Sequence, residues 1–144
     1  MIQRIQTIWL LVTAVLFGLE YWPELSFAST MSPGEGVFAD SLLKTSEDSV
    51  LSGASLTSAL MALIAVFLYK NRESQLIVAA LSGLIQAVAF IGWGFYLVYK
   101  SGLFQQFRAD FALYSGMAGI FVNWLATRAI RKDAALVKSM DRLR

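Results

Sequence analysis

The polar side chains that lie well inside the long apolar stretches of this sequence are few, and they are uncharged. Gln86, Asn123 and Thr13 are three of them. Such groups can line a polar site between helices, or they can form interhelical hydrogen bonds worth about 0.6 kcal/mol each. Because isolated amides in bundles usually play the second role, we expect Gln86 and Asn123 to join neighbouring helices. A transporter normally places an ionisable group between its spans, and we expect none at mid-depth here.

Most catalytic and metal-binding chemistry is excluded by what the sequence lacks. It contains no cysteine and no histidine, which removes disulfides, thiolate nucleophiles, histidine-ligated haem and the usual zinc and copper sites. No glycine-rich phosphate loop, nucleophile elbow or paired-carboxylate motif occurs. We therefore expect no catalytic residue, no metal site and no cofactor, and we predict that the protein is not an enzyme.

Acidic residues are concentrated in one polar segment, residues 23–50. If Glu20 is counted, six acids stand against the single Lys44. The segment could dock a cation or a basic partner, but charge runs are usually solvated, and the alternating Asp and Asn of a calcium loop are missing. We favour a solvated acidic loop, within which residues 37–44 form a short helix or strand that lies on the rest of the fold.

The overall composition is that of a membrane protein. Apolar residues make up 57% of the 144 residues and charged residues 15%, against roughly 45–50% and about 25% in soluble domains. The mean hydropathy is +0.59, and a soluble fold of this size could not bury so much apolar surface. The length suits one domain, so we predict a single integral membrane domain over residues 1–144. The slight net charge of +2 argues against a nucleic-acid partner.

Four stretches are long enough to cross a bilayer. A hydrocarbon core of about 30 Å needs about 20 mostly apolar residues in a helix. The second and third stretches carry no charge and are apolar all round, whereas helices of a soluble bundle keep a polar face. We therefore predict an all-α fold, a four-helix transmembrane bundle with a C-terminal basic amphipathic helical extension. The predicted spans are residues 5–22, 51–69, 75–99 and 109–127.

Lysine and arginine are distributed unequally between the two sides that four spans define. The link 70–74 and the two termini hold nine of the twelve, and the positive-inside rule places that side in the cytoplasm. We therefore expect a multi-pass protein with both termini cytoplasmic, an outer loop over 23–50 and a cytoplasmic tail over 128–144. The nine basic residues are Arg4, Lys70, Arg72, Arg128, Arg131, Lys132, Lys138, Arg142 and Arg144.

The pattern of the tail is that of a basic amphipathic helix, with apolar and basic residues on opposite faces. Such a helix can lie at the inner headgroup layer, where each basic residue near an anionic surface contributes about 1 kcal/mol, or it can dock on a partner. We favour the surface-lying helix. The apolar face consists of Ala129, Ile130, Leu136, Val137, Met140 and Leu143. The candidate contacts with a partner or with lipid are Arg4, Arg128, Arg131, Lys132, Asp133, Lys138, Arg142 and Arg144.

Asp133 interrupts the apolar face of the tail. Its neighbours one helical turn away, Ala129 and Val137, cannot pair with it, and an unpaired carboxylate there would be costly. We therefore hypothesise that Asp133 bonds a cation from another cytoplasmic segment. The available cations are Arg4, Lys70 and Arg72.

Both ends of the chain resemble a known family. The motifs are the opening MIQRIQTI, residues 1–8, and the ending RAIRKDAALVKSMDRLR, residues 128–144. They are similar to those of small four-span inner-membrane proteins of Bacteroidota known as domain of unknown function 4293, although family members usually have an acidic residue where Ala134 stands. The resemblance implies a bacterial cytoplasmic (inner) membrane and implies that the two cytoplasmic ends matter more than the outer loop. It implies no activity.

The function that these features favour is that of a non-catalytic accessory subunit or assembly factor. We expect its cytoplasmic face to contact anionic lipids and a larger membrane protein complex. The alternative is a small oligomeric transporter or channel organised around Gln86 and Asn123. An enzyme that acts on lipid is the least favoured class, because only the acids of the outer loop offer clustered polar residues.

Overall fold

We describe residues 2–141 of the chain in a computed structural model, with the side chains of residues 5–139. Most of this part of the chain lies in four long helices, each of which overlaps one of the apolar stretches. α1 is Ile2–Leu19, α2 is Ser49–Phe67, α3 is Arg72–Lys100 and α4 is Phe111–Asp141. A π-helical segment, Gln86–Gly92, interrupts α3 near its middle.

Short polar residues define where two of the helices begin. Asp48 precedes α2, and its carboxylate accepts hydrogen bonds from the backbone N–H groups of Val50 and Leu51, both at 2.9 Å. Asn71 precedes α3, and its side-chain oxygen accepts from the N–H of Ser74 at 3.2 Å. The first turn of a helix leaves its N–H groups without partners, so these caps stabilise both helix starts.

The four helices pack in a ring. α1 contacts α2 and α4, and α3 also contacts α2 and α4. Because the link between α2 and α3 is only residues 68–71, these two helices are antiparallel neighbours. Apolar clusters fill the two ends of the bundle. The larger cluster includes Phe27, Phe38, Leu43, Leu51, Phe90, Val98 and Leu113, and the smaller one consists of Leu10, Ala65, Ala79, Ala126 and Ile130.

A small antiparallel sheet corrects the all-α prediction. β1 (Ser26–Ser29) lies between β2 (Leu42–Lys44) and β3 (Arg108–Ala109). Strands of two to four residues are too short to show an alternating pattern, and β3 comes from a segment distant in the sequence, so pattern reasoning could not find them. The paired residues are Ser26 with Lys44, Ser29 with Leu42 and Ala28 with Ala109.

The segment 23–50 folds against one end of the bundle. Phe27 is wholly buried, with its ring 5.5 Å from that of Phe90 in an edge-to-face arrangement. The Ser26 hydroxyl donates a hydrogen bond to the Asp110 carboxylate, and the Asp110 N–H donates to Phe27 O at 3.2 Å. These contacts attach the segment to the start of α4, so it is a packed part of the fold and not wholly a solvated loop.

Within that segment, the prediction that residues 37–44 form a short helix or strand on the bundle is confirmed. A 3₁₀ turn, Gly36–Phe38, is followed by β2, and both Phe38 and Leu43 are buried. The same segment carries an ion-pair network at its surface. Lys44 Nζ lies 2.6 Å from Asp40 Oδ2 and 3.4 Å from Glu47 Oε1. The hydrogen bond from Lys44 holds the pKa of the Asp40 carboxyl below its ordinary value.

Many large apolar side chains lie on the outside of the helices, and the space between the helices holds buried polar and small side chains in addition to the two apolar clusters. The outward-facing residues include Ile8, Leu60, Val88 and Phe121, which are 56 to 63% exposed. The wholly or nearly buried polar residues of the helices include Thr13, Ser55, Ser58, Ser82, Gln86, Ser115 and Asn123. Soluble proteins show the opposite arrangement. By length and composition, α2 and α3 are each able to cross a membrane.

A glycine allows β1 to pack against α3, which gives a first prediction. A Cβ at Gly94 would lie 2.6 Å from two atoms of the buried Phe27 ring, whereas a Cβ at Gly53 of α2 would meet nothing within 4 Å. Gly94→Ala should therefore lower the free energy of unfolding by about 1–3 kcal/mol through overpacking. Gly53→Ala should raise it by up to about 1 kcal/mol, because alanine is the better helix former.

Thermal unfolding of the two purified variants, followed by circular dichroism, measures the difference. Since both substitutions add one methyl group to a helix, they are matched in chemistry. Equal unfolding temperatures for the two variants would contradict the packing of Phe27 on Gly94.

Candidate functional site

One polar cluster joins all four helices at the end of the bundle where α3 begins. The Arg72 guanidinium is at its centre, with Nη2 2.7 Å from Asp133 Oδ2 on α4. Arg72 Nη1 donates to Gln6 Oε1 on α1 at 3.0 Å and lies 3.4 Å from Gln75 Oε1. We call Arg72, Gln6, Gln75 and Asp133 the Arg72 cluster. The planar guanidinium has five N–H donors, so it can serve several acceptors at once.

The two amides of the Arg72 cluster extend it to the backbone. Gln75 Nε2 donates to Ala65 O of α2 at 3.0 Å, and Gln6 Nε2 donates to Ala129 O of α4 at 3.3 Å. Gln6 and Gln75 are at most 1% exposed. A buried amide without partners would cost free energy, and here each oxygen faces Arg72 while each nitrogen bonds a carbonyl. The cluster thus uses both polar ends of each amide.

Asp133 therefore has the cation that its position on the apolar face requires, and that cation is Arg72. The side chains of Arg72 and Asp133 are 15% and 13% exposed. Gln6 belongs to the opening motif of the sequence, and Asp133 belongs to the ending motif. The two terminal motifs meet through a residue of the α2–α3 hairpin.

The tail is part of α4 and not a separate helix. α4 runs without interruption from Phe111 to Asp141, which is about 46 Å at 1.5 Å per residue. A helix that lay flat at the headgroup layer would need a break after a span of about 20 residues. The described part of α4 has no such break, so the tail extends from the bundle as a continuation of α4.

Four of the predicted contact residues, Arg128, Arg131, Lys132 and Lys138, are exposed on this extension. The described residues place no carboxylate within 4 Å of any of them, and Arg128 lies over the Trp124 ring, 5.4 Å from its centre. The side chains of three further predicted contacts, Arg4, Arg142 and Arg144, lie outside the described residues, as do those of Met140 and Leu143.

A groove borders the tail. It has a volume of about 450 Å³ and is lined by Arg72 and Glu73 of α3 and by Ala134, Ala135, Val137 and Lys138 of α4. Leu136 and Val137 are 51% and 44% exposed. The tail therefore presents apolar side chains beside unpaired cations, which is the composition of a protein contact surface.

A second polar contact lies in the interior of the bundle. Glu20, which directly follows α1, is wholly buried, and both of its carboxyl oxygens lie close to Gln86 Nε2, at 2.6 and 2.7 Å. Gln86 is also wholly buried and is the first residue of the π-helical segment of α3. π-helical segments inside α-helices are frequent at functional sites. We call these two residues the Glu20–Gln86 pair.

A glycine of α4 makes room for the Glu20–Gln86 pair. A Cβ at Gly116 would lie 2.9 Å from Glu20 Oε1 and 3.1 Å from Gln86 Nε2. On α2, the Ser55 hydroxyl lies beside Glu20 and donates to Phe17 O at 2.7 Å. The pair is thus enclosed by α1, α2, α3 and α4.

The buried position of Glu20 corrects the expectation that no ionisable group lies at mid-depth. By sequence, Glu20 is counted with the acids of the segment 23–50, yet Glu20 contacts Gln86, which lies near the middle of the predicted span 75–99. The sequence does contain a feature that identifies Glu20 as a candidate functional residue. Glu20 is the one charged residue of the stretch 5–22, and a charge in such a stretch is a candidate functional residue.

Asn123 and Thr13 make ordinary hydrogen bonds. Asn123 Nδ2 donates to Ala79 O of α3 at 2.8 Å, directly over Gly83. The Thr13 hydroxyl donates to Trp9 O of its own helix at 2.9 Å. Within the described residues, Gln86 bonds Glu20 and Asn123 bonds Ala79 O, so no hydrogen bond joins Gln86 to Asn123.

The fold and these two clusters define a helical bundle with a polar interior, an apolar exterior and a capping sheet. The chain belongs to the family described as domain of unknown function (DUF4293), whose model matches residues 2–143. The resemblance of the two terminal motifs is thereby confirmed. No curated protein and no solved structure matches the chain.

The Arg72–Asp133 pair gives a second prediction. Removing one partner of a mostly buried ion pair leaves the other charge without compensation, so Asp133→Leu should lower the free energy of unfolding by about 3 kcal/mol. The matched control is Asp40→Leu, which breaks the exposed Lys44–Asp40 pair and should have little effect.

A double-mutant cycle with Arg72→Leu separates the pair from the other contacts of Arg72. The double variant should be more stable than the sum of the single losses predicts, because it contains no unpaired charge. Additive losses in denaturant unfolding would show that the two side chains do not interact.

Proposed function

We propose that this protein is an integral membrane protein in which all four helices cross a bacterial inner membrane. The observation that supports this proposal is the surface of the bundle, on which many large apolar side chains are exposed, while many polar side chains are buried between the helices. Lipid tails solvate an apolar exterior, and helices in lipid associate through small residues and interhelical hydrogen bonds. Both features are present on the faces between these helices.

The proposed orientation has both termini in the cytoplasm. The Arg72 cluster and the basic tail lie at the same end of the bundle, and the sheet lies at the other end. The positive-inside rule assigns the basic end to the cytoplasm. The segment 23–50 then forms a folded cap on the outer side.

Single cysteines test this orientation, since the sequence contains no native cysteine. Met31 is 71% exposed in the outer segment, and Ser139 is exposed in the tail. A membrane-impermeant maleimide added to sealed spheroplasts should label Met31→Cys and should label Ser139→Cys only after the membrane is permeabilised. Labelling of Ser139→Cys in sealed spheroplasts, or protection of Met31→Cys, would contradict the orientation.

We further propose a non-catalytic role as an accessory subunit or assembly factor of a larger membrane complex. The observation that carries this proposal is the tail, which presents four exposed cations next to the exposed Leu136 and Val137. A continuous helix of about 46 Å is longer than a hydrocarbon core of about 30 Å, so the tail reaches beyond the bilayer. Its surface fits an acidic protein surface that also offers apolar side chains.

Charge reversal in the tail tests the partner contact. Arg131→Glu combined with Lys132→Glu should reduce the amount of partner complex that co-purifies in mild detergent at least tenfold. The matched control is Lys100→Glu combined with Arg108→Glu, which reverses two exposed charges at the opposite end of the bundle and should leave co-purification unchanged.

The same variants show whether the tail contacts a protein partner or only anionic lipid. If the tail acts on anionic lipid alone, partner recovery will not change, and the tail variant will instead lose its preference for anionic over neutral lipid in reconstituted nanodiscs. Unchanged partner recovery in the tail variant would refute the subunit proposal. An equal loss of partner recovery in the tail variant and the control would also refute it.

A small oligomeric transporter or channel is the second candidate, and the Glu20–Gln86 pair is the observation that favours it. An ionisable group in the interior of a membrane bundle often lies on an ion or proton pathway. This candidate requires a closed homo-oligomer or a solute-dependent flux in proteoliposomes that the Glu20→Gln variant lacks. A monomer in native mass measurements without such flux would exclude it.

A further inference from the structure

The Glu20–Gln86 pair has fewer hydrogen-bond donors than its oxygen atoms need. The pair has three side-chain oxygens, two of Glu20 and one of Gln86, and the amide nitrogen of Gln86 donates only to the oxygens of Glu20. Gln86 Nε2 faces both carboxyl oxygens, while Gln86 Oε1 is buried and has no hydrogen-bond partner. Buried polar atoms without partners are uncommon and costly. The pair therefore needs one more donor.

The helices around the pair do not supply that donor. The positions that face it are Ser55 on α2 and Gly116 on α4, and neither carries a charge. The Ser55 proton is already donated to Phe17 O. Within the described residues, no lysine or arginine nitrogen lies within 4 Å of a Glu20 oxygen, because the ion pairs found there involve other carboxylates.

Close packing excludes a large occupant. A single Cβ added at Gly116 would already lie within 3.4 Å of Glu20, Gln86 and Phe90. A metal ion would need several oxygen ligands around it, and on the α4 side of the pair even one added methyl group would crowd Glu20 and Gln86. A proton occupies no such volume and turns one carboxyl oxygen into the missing donor.

We propose that Glu20 and Gln86 form a proton-binding site. Glu20 takes one proton from water, which forms one O–H bond and involves no other reactant. A rotation of the Gln86 carboxamide then lets the Glu20 O–H donate to Gln86 Oε1, while Gln86 Nε2 donates to the other Glu20 oxygen. The two hydrogen bonds of this acid–amide pair give every polar atom of both side chains at least one hydrogen bond. Release of the proton returns it to water.

Infrared spectroscopy of the full-length purified protein at pH 7 tests the proposal. The spectrum should contain the C=O stretch of a protonated carboxylic acid, and Glu20→Gln should remove it. The matched control is Glu24→Gln, which changes an exposed carboxyl in the following turn and should leave the band in place. Absence of the band from the unmodified protein, or its persistence in Glu20→Gln, would overturn the proposal.

Thermal unfolding supplies a second measurement that does not depend on the infrared band. Glutamine at position 20 carries a permanent N–H where the proton would be, so Glu20→Gln should unfold at the temperature of the unmodified protein at pH 7. Glu20→Met has a similar volume and no polar group, so it should unfold at a clearly lower temperature. If Glu20→Gln lost as much stability as Glu20→Met, the structure would depend on the carboxylate charge, and the proton-binding site would be refuted.

Discussion

The ion pair between Arg72 and Asp133 holds together the end of the bundle from which the tail emerges. Its geometry requires the start of α3 and the last turns of α4 to lie side by side. Gln6 and Gln75 complete the arrangement, because each bonds Arg72 with its oxygen and a helix carbonyl with its nitrogen. One guanidinium thereby links all four helices, and the direction in which the tail leaves the bundle follows from it.

The opposite end of the bundle is closed by different means. There the segment 23–50 contributes a sheet whose buried residue Phe27 packs on Phe90 and on the surface that Gly94 leaves open. Between the two ends, the helices meet through small residues and through hydrogen bonds such as those of Asn123 and the Glu20–Gln86 pair. In the membrane that we propose, close packing and hydrogen bonds of this kind would hold the helices together, because lipid is itself an apolar solvent.

Much of the fold could be predicted because it depends on residues close together in the sequence. Long apolar stretches of the sequence reveal where the helices lie. Asp and Asn are preferred at the position just before a helix, and Asp48 and Asn71 occupy that position. The need of Asp133 for a cation followed from the helical period alone. The identity of that cation as Arg72 did not, since it depends on how α3 and α4 approach each other. The short strands could not be predicted either, because their pairing partners are remote in sequence.

The sequence by itself determined the helical segments, the basic character of one end, the absence of cysteine and histidine chemistry, and membership of a family through the two terminal motifs. The tertiary structure alone decided that Glu20 is buried against Gln86, that the tail continues α4, and that both terminal motifs meet at Arg72. The physical reason is the range of the interactions. Helix formation and hydropathy are properties of neighbouring residues, whereas the environment of a buried polar atom is set by whichever distant segments the packing brings around it.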